Sequence, residues 1–144
     1  MVANLFDNID HGSLPAGQKA IKESLELNNS QYGLLGSFVF FGLTVGSIFG
    51  TFMFNCVSTK WILILSLLLN GLVLWALTMT KDFRLLLTFR FLTGFSQVFV
   101  AIFLPVWSDR RAPSEASKQC WLTGLLVASS VGVLLGYVIT ALFI

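Results

Sequence analysis

Charged residues are scarce in this chain, at only 11% of its 144 residues. That is under half of the roughly 25% that is usual for soluble domains. Hydrophobic residues make up 56%, so too little polar surface is available to enclose a water-soluble core of this size. The composition excludes a disordered chain, and the net charge of +2 excludes nucleic-acid binding driven by a basic surface. We therefore predict a membrane protein.

Cysteine and histidine are also rare, with two cysteines and one histidine in the sequence. Cys56 and Cys120 each lie at the edge of a hydrophobic run, and their spacing indicates neither a disulfide nor a metal site. The sequence shows no glycine-rich phosphate loop, no pair of histidines for a metal and no nucleophile elbow. We therefore expect no enzymatic activity, no metal and no cofactor.

Long apolar runs, by contrast, are abundant. About 20 apolar residues are needed for a helix to cross a bilayer, and charged residues divide the sequence into four runs of that length, the third interrupted only by Arg90. We predict an all-α, multi-pass membrane protein with transmembrane helices over residues 32–57, 61–80, 85–107 and 119–144. Pro105 is expected to end or kink the third span, and residues 109–118 are predicted to form a polar loop.

The segment before the first span has a different character. Residues 1–16 are either a short lead outside the membrane or the end of an earlier helix. Residues 18–28 are predicted to form a short amphipathic helix at the membrane interface, and Asn28 is expected to cap the helix that follows. Asp10 would share a helix face with Asp7. If embedded, Asp10 would need a partner such as Arg90; otherwise it is solvated.

Glycines recur every four residues in two of the spans. Gly42, Gly46 and Gly50 form one stripe, and Gly132 and Gly136 form a second. Small residues at this spacing let helix backbones approach closely in lipid. The stripes indicate either ordinary helix packing or a sliding contact in a protein that changes shape. Both interpretations require a partner helix, so the spans belong in a bundle.

Arg90 is the one charged residue within a predicted span. Its charge is costly there unless it snorkels to the interface, pairs with an acid or faces a wet cavity. Gly94, Gln97, Ala101 and Pro105 follow at helical spacing, which gives this helix a face of polar and small residues. Such a face is typical of a cavity lining; snorkelling is the alternative interpretation.

Six segments of the chain form a recognisable series. In chain order they are DHGSLPA, LELNNSQYGLLGS, FFGLTVGSIFG, RFLTG, PVWSDRRAPSEASKQCWL and SVGVLLGYVIT. The first three resemble the end of the first helix, the loop after it and the second helix of the major facilitator superfamily. The last three resemble the arginine motif of the fourth helix, the loop after it and the glycine-rich fifth helix of that family. The Spinster-like and protist transporters are the type that the segments resemble most.

This resemblance implies a fold of twelve helices in two bundles that works by alternating access. The chain would carry the end of helix one through helix five, as a partial or truncated version. The resemblance places the acid of helix one on Asp10, the arginine of helix four on Arg90, and cytoplasmic gating loops at Lys60 and at Asp109 and Arg110. One departure concerns the loop after helix two, where Phe54 and Asn55 replace the family's acid.

Two functions follow as hypotheses. The first is transport of a small organic or lipid-like solute, with Asp10 as proton or cation carrier, Arg90 as anion anchor and Gln97 as hydrogen-bond donor. The alternative is a structural membrane subunit that does not transport. The expected partners are the lipid bilayer, the solute, and the missing C-terminal bundle, a second copy or another membrane subunit; no nucleic acid is expected.

Overall fold

The computed structural model describes residues 2–26 and 28–143, and helices occupy nearly all of them. In chain order these are α1 (Val2–Ala16), α2 (Gln18–Leu25), α3 (Asn29–Cys56), α4 (Thr59–Met79), α5 (Phe83–Arg111) and α6 (Glu115–Phe143). The described residues contain no strand. Four of the helices, α3 to α6, are long and apolar enough to cross a membrane. The predicted all-α membrane fold with four full spans is confirmed.

The helix ends differ most from the sequence prediction around α5. This helix continues through Pro105 to Arg111, and α6 begins at Glu115, so the loop predicted over 109–118 is reduced to 112–114. Proline removes one backbone hydrogen bond, whereas unwinding the helix there would leave several backbone groups unsatisfied. The polar residues that follow are compatible with a helix that extends beyond the apolar span.

The start of α3 follows the sequence closely. Asn28 accepts a hydrogen bond from the backbone N–H of Asn29 at 2.8 Å, and its own N–H donates to Oε1 of Gln31 at 2.9 Å. This reciprocal cap satisfies backbone groups that a helix start otherwise leaves open, so the predicted cap is confirmed. Just before it, Glu26 adopts a left-handed backbone conformation with φ of 51°, after α2 has ended at Leu25.

The chain divides into two compact units. The first, unit A, contains residues 1–24 and 103–144, and the second, unit B, contains residues 25–102. Unit B is built from α3, α4 and most of α5, with Ile62, Val98 and Phe99 as its buried apolar centre. Unit A is built from α1, α2, the last part of α5 and α6, and segment 1–16, left open by the sequence, is largely helical as α1.

Candidate functional site

Arg90 is a buried charge within the long α5 helix. Its side chain is only 5% exposed, and it lies about two helical turns from the start of α5 at Phe83. An arginine that snorkels to the interface would leave its guanidinium exposed. The burial therefore favours an inward-facing arginine. The Tyr32 hydroxyl on α3 interacts electrostatically with this guanidinium.

Gln97 shares the Arg90 face of α5. It is also 5% exposed, and it lies seven residues further along, about 10 Å at 1.5 Å per residue. Ala101, one turn beyond, is exposed. Gly94 was placed on this same face by its spacing, but in the structure a Cβ at Gly94 would collide with the carbonyl oxygen of Val39. Gly94 therefore lies at the contact with α3.

A buried polar cluster between α4 and α5 was not anticipated from the sequence. Ser96 is 1% exposed and its hydroxyl lies 3.4 Å from Oδ1 of Asn70 on α4. Ser66, one turn before Asn70, is also buried and donates to the carbonyl of Leu63. Thr93 is fully buried and donates to the carbonyl of Phe89. A serine and an asparagine four residues apart in a leucine-rich helix were the available signal.

The glycine stripe of α3 lies directly against α5. A Cβ at Gly42 would collide with the backbone of Phe91, and a Cβ at Gly46 would lie 2.7 Å from Cγ1 of Val98. Gly50 has more room, with Cδ1 of Ile102 at 3.4 Å from the position of a Cβ. Only hydrogen therefore fits at Gly42 without a shift of one helix, and the backbones of α3 and α5 approach closely there.

The second stripe lies against α1 within unit A. A Cβ at Gly136 would collide with the carbonyl of Ile9, and a Cβ at Gly132 would lie against the carbonyl of Leu5. Gly12 on α1 meets the carbonyl of Val133 in the same way. These contacts make α1 and α6 a closely packed pair.

Hydrogen bonds join the same two helices. The amide of Asn4 donates to the carbonyl of Leu125 at 3.0 Å and to the hydroxyl of Ser129 at 2.8 Å. Asn8 lies 3.4 Å from the same hydroxyl. We call Asn4, Asn8 and Ser129 the asparagine clasp. None of the three stands out in the sequence.

Asp10 lies on α1, in the middle of this packed pair, and its side chain is half-buried, as is that of Asp7. Asp10 belongs to unit A, whereas Arg90 and Gln97 belong to unit B. The structure therefore brings Arg90 and Gln97 together on one helix face, and it describes Asp10 as part of a separate unit.

The residues assigned to the gating loops all lie at helix ends. Lys60 is exposed near the start of α4, and Asp109 and Arg110 are exposed in the last turn of α5. Asp109 forms an ion pair with Lys118 of α6. Glu115 lies 3.9 Å from the same ammonium.

These features define an integral, multi-pass helical membrane protein with buried polar groups in its spans. The family model described as Major Facilitator Superfamily matches residues 2–144. The chain belongs to the major facilitator superfamily, a family of membrane transporters. A search of curated proteins and a search of solved structures each find no match.

Proposed function

We propose that this chain forms part of the pathway of a facilitator-type transporter that moves a small organic or lipid-like solute by alternating access. The observation that carries the proposal is the buried polar face of α5, where Arg90 and Gln97 are each 5% exposed. Ionisable side chains within membrane spans are costly to keep, and they mark substrate and ion routes. The resemblance to Spinster-like transporters supports the lipid-like end of the solute range.

Each pathway residue has a role that suits its chemistry. The Arg90 guanidinium presents several hydrogen-bond donors in a plane, so it can anchor a carboxylate or phosphate. Gln97, about two turns away, can donate to a second polar group of the same solute. Asp10 is the acid proposed to carry the coupling proton or cation.

The helix contacts suit a moving scaffold. Alternating access requires bundles that rock as units around a central site, and close glycine contacts such as Gly42 with Phe91 hold helices together within one such unit. A second bundle, from further sequence, a second copy or another subunit, would complete the cavity. The exposed ends at Lys60 and Arg110 are the proposed cytoplasmic gating elements.

The test is transport by a pair of matched arginine variants. Arg90→Ala removes the buried arginine, and Arg84→Ala removes an exposed arginine from the same helix. The protein is reconstituted into liposomes together with any second helix bundle that co-purifies with it. Counterflow of labelled organic anions, zwitterions and lysophospholipids is then measured. We expect Arg90→Ala to abolish transport with normal membrane insertion, and Arg84→Ala to retain at least half.

Unchanged transport by Arg90→Ala would contradict the role given to this residue. Absence of transport of every solute by the parent protein, together with an unrelated partner bound in fixed ratio, would favour the structural subunit instead.

A further inference from the structure

A patch of two tryptophans and two arginines lies where α5 and α6 meet, within unit A. Trp107 and Trp121 stack with ring centroids 5.6 Å apart and planes only 15° from parallel. Arg110 and Arg111 follow Trp107 by three and four residues on a continuous helix, so both lie on the same side of α5 as Trp107. We call these four residues the Trp–Arg patch.

The acidic side chains near this patch contact a lysine and not the two arginines. Asp109 lies at the end of α5 that contacts α6, as Trp107 does. There it pairs with Lys118, and Glu115 lies beside the same lysine. In the described part of the chain, no acidic side chain pairs with Arg110 or Arg111. The patch therefore has two exposed positive charges that its own hairpin does not neutralise.

The location of the patch fits the surface of a membrane. It lies at the polar end of two membrane-spanning helices, and the Trp107 side chain is 42% exposed. Tryptophan is enriched at the level of lipid headgroups because its ring is apolar and its N–H is polar. Arginine binds phosphate through two parallel hydrogen bonds. The patch thus combines a side chain that favours the headgroup region with one that binds phosphate.

We propose that the Trp–Arg patch binds the headgroup of an anionic phospholipid. The phosphate would lie between Arg110 and Arg111, and the stacked tryptophans would contact the upper acyl chains. Such a bound lipid would hold the short 112–114 turn against the bilayer. The inference does not depend on which solute is transported, since neither Arg90 nor Gln97 belongs to the patch.

The test uses the patch tryptophans as reporters. The chain has four tryptophans, so Trp61→Phe with Trp75→Phe leaves only Trp107 and Trp121. The protein is placed in bilayers of phosphatidylcholine with phosphatidylglycerol, and one of the two lipids is brominated at a time. We expect brominated phosphatidylglycerol to quench fluorescence more strongly at equal mole fraction. The ratio of the two quenching curves gives the relative affinity.

Two double variants separate a specific site from general charge. Arg110→Gln with Arg111→Gln is expected to lower the preference for phosphatidylglycerol by about fivefold for each arginine, following the worth of one basic residue at an anionic surface. Lys81→Gln with Arg84→Gln removes the same charge from exposed residues before and within the first turn of α5, and should leave the preference intact. Arg110→Lys with Arg111→Lys should retain part of it.

Several results would overturn the proposal. One is equal quenching by the two brominated lipids in the parent protein. Another is an equal loss of the phosphatidylglycerol preference in the Arg110/Arg111 double variant and in the Lys81/Arg84 double variant. Loss of the preference in inorganic phosphate, but not in sodium chloride of equal ionic strength, would mean that the patch binds a soluble anion. If the glutamine pair lowers thermal stability while lipid preference is unchanged, the arginines only stabilise the end of α5. Circular dichroism of each variant confirms that the helices are retained.

Discussion

Two pairs of helices approach closely in this protein, α3 with α5 in unit B and α1 with α6 in unit A, and they secure the approach differently. Both use glycine against a backbone carbonyl of the other helix, at Gly42 and at Gly136. Around Gly42 the contact is completed by phenylalanine rings, with Phe91, Phe95 and Phe99 in a column along α5. Around Gly136 it is completed by the asparagine clasp.

The difference shows how helices associate where the hydrophobic effect gives little help. In lipid, association depends on close packing and on hydrogen bonds between helices. Unit B relies on packing, which tolerates small shifts of ring against ring. Unit A adds directional hydrogen bonds, which fix the register of α1 on α6. Since α1 carries Asp10, the clasp also fixes the position of that acid relative to α6.

The largest effect is expected from filling a glycine contact in either pair. Gly42→Ala and Gly136→Ala each force a Cβ into a carbonyl of the facing helix, so that helix must move. We expect each to lower the free energy of unfolding by about 3 kcal/mol, the upper range for overpacking. The measurement is thermal unfolding in detergent.

Gly36→Ala is the matched control for that experiment. Gly36 lies on α3, six residues before Gly42, and nothing is within 4 Å of a Cβ there. The free energy of unfolding of this variant should stay within about 1 kcal/mol of that of the parent protein. Equal destabilisation by Gly36→Ala and Gly42→Ala would mean that the α3–α5 contact does not need glycine.

A smaller effect is expected from breaking the clasp in unit A. Asn4→Leu removes the two hydrogen bonds that Asn4 donates to α6 and leaves the longer one from Asn8 to Ser129. We expect the free energy of unfolding to fall by about 1 to 2 kcal/mol, given the modest worth of such bonds in membranes. Asn55→Leu is the control, because Asn55 donates to Thr51 of its own helix. Equal unfolding temperatures for the two variants would contradict the stabilising role of the clasp.

The smallest effect is expected in the ring column of unit B. Phe95 lies 6.4 Å from Phe91 and 5.5 Å from Phe99 between ring centroids. Phe95→Leu keeps an apolar side chain and loses the ring contacts, so the expected cost is about 1 kcal/mol. Phe52, at 68% exposure, supplies the control Phe52→Leu. If both substitutions lower the free energy of unfolding by the same amount in chemical denaturation, the ring contacts of Phe95 add no stability of their own.

Much of the fold could be predicted from the sequence because lipid imposes a simple rule. Apolar runs of sufficient length predicted the four spans, and Asn28 predicted the start of α3. The end of α5 could not be predicted in the same way, because Pro105 and the charged residues after it end an apolar run without ending a helix. Hydropathy indicates where a helix leaves the membrane, whereas backbone hydrogen bonding decides where it stops.

The candidate site was predictable only in part. A charge inside a span is visible in any sequence, and so Arg90 and, by spacing, Gln97 could be named as candidates, and both are buried in the structure. The glycine repeats were visible too, but Gly94 and Gly12 occur singly, and only the facing helix shows that a carbonyl lies against them. The hydrogen bonds from Asn4 to Ser129 and from Ser96 to Asn70 join residues far apart in the chain, which no spacing rule can find.

We propose that the Arg90 and Gln97 face of α5 lines a route for water and solute. The most direct measurement compares Gln97→Cys with Val98→Cys after Cys56 and Cys120 are replaced by serine. Gln97 and Val98 are both 5% exposed, but Val98 packs against Gly46 of α3. We predict that a membrane-impermeant thiol reagent labels the cysteine at 97 at least tenfold faster than that at 98. Equal labelling rates at the two positions would contradict the claim.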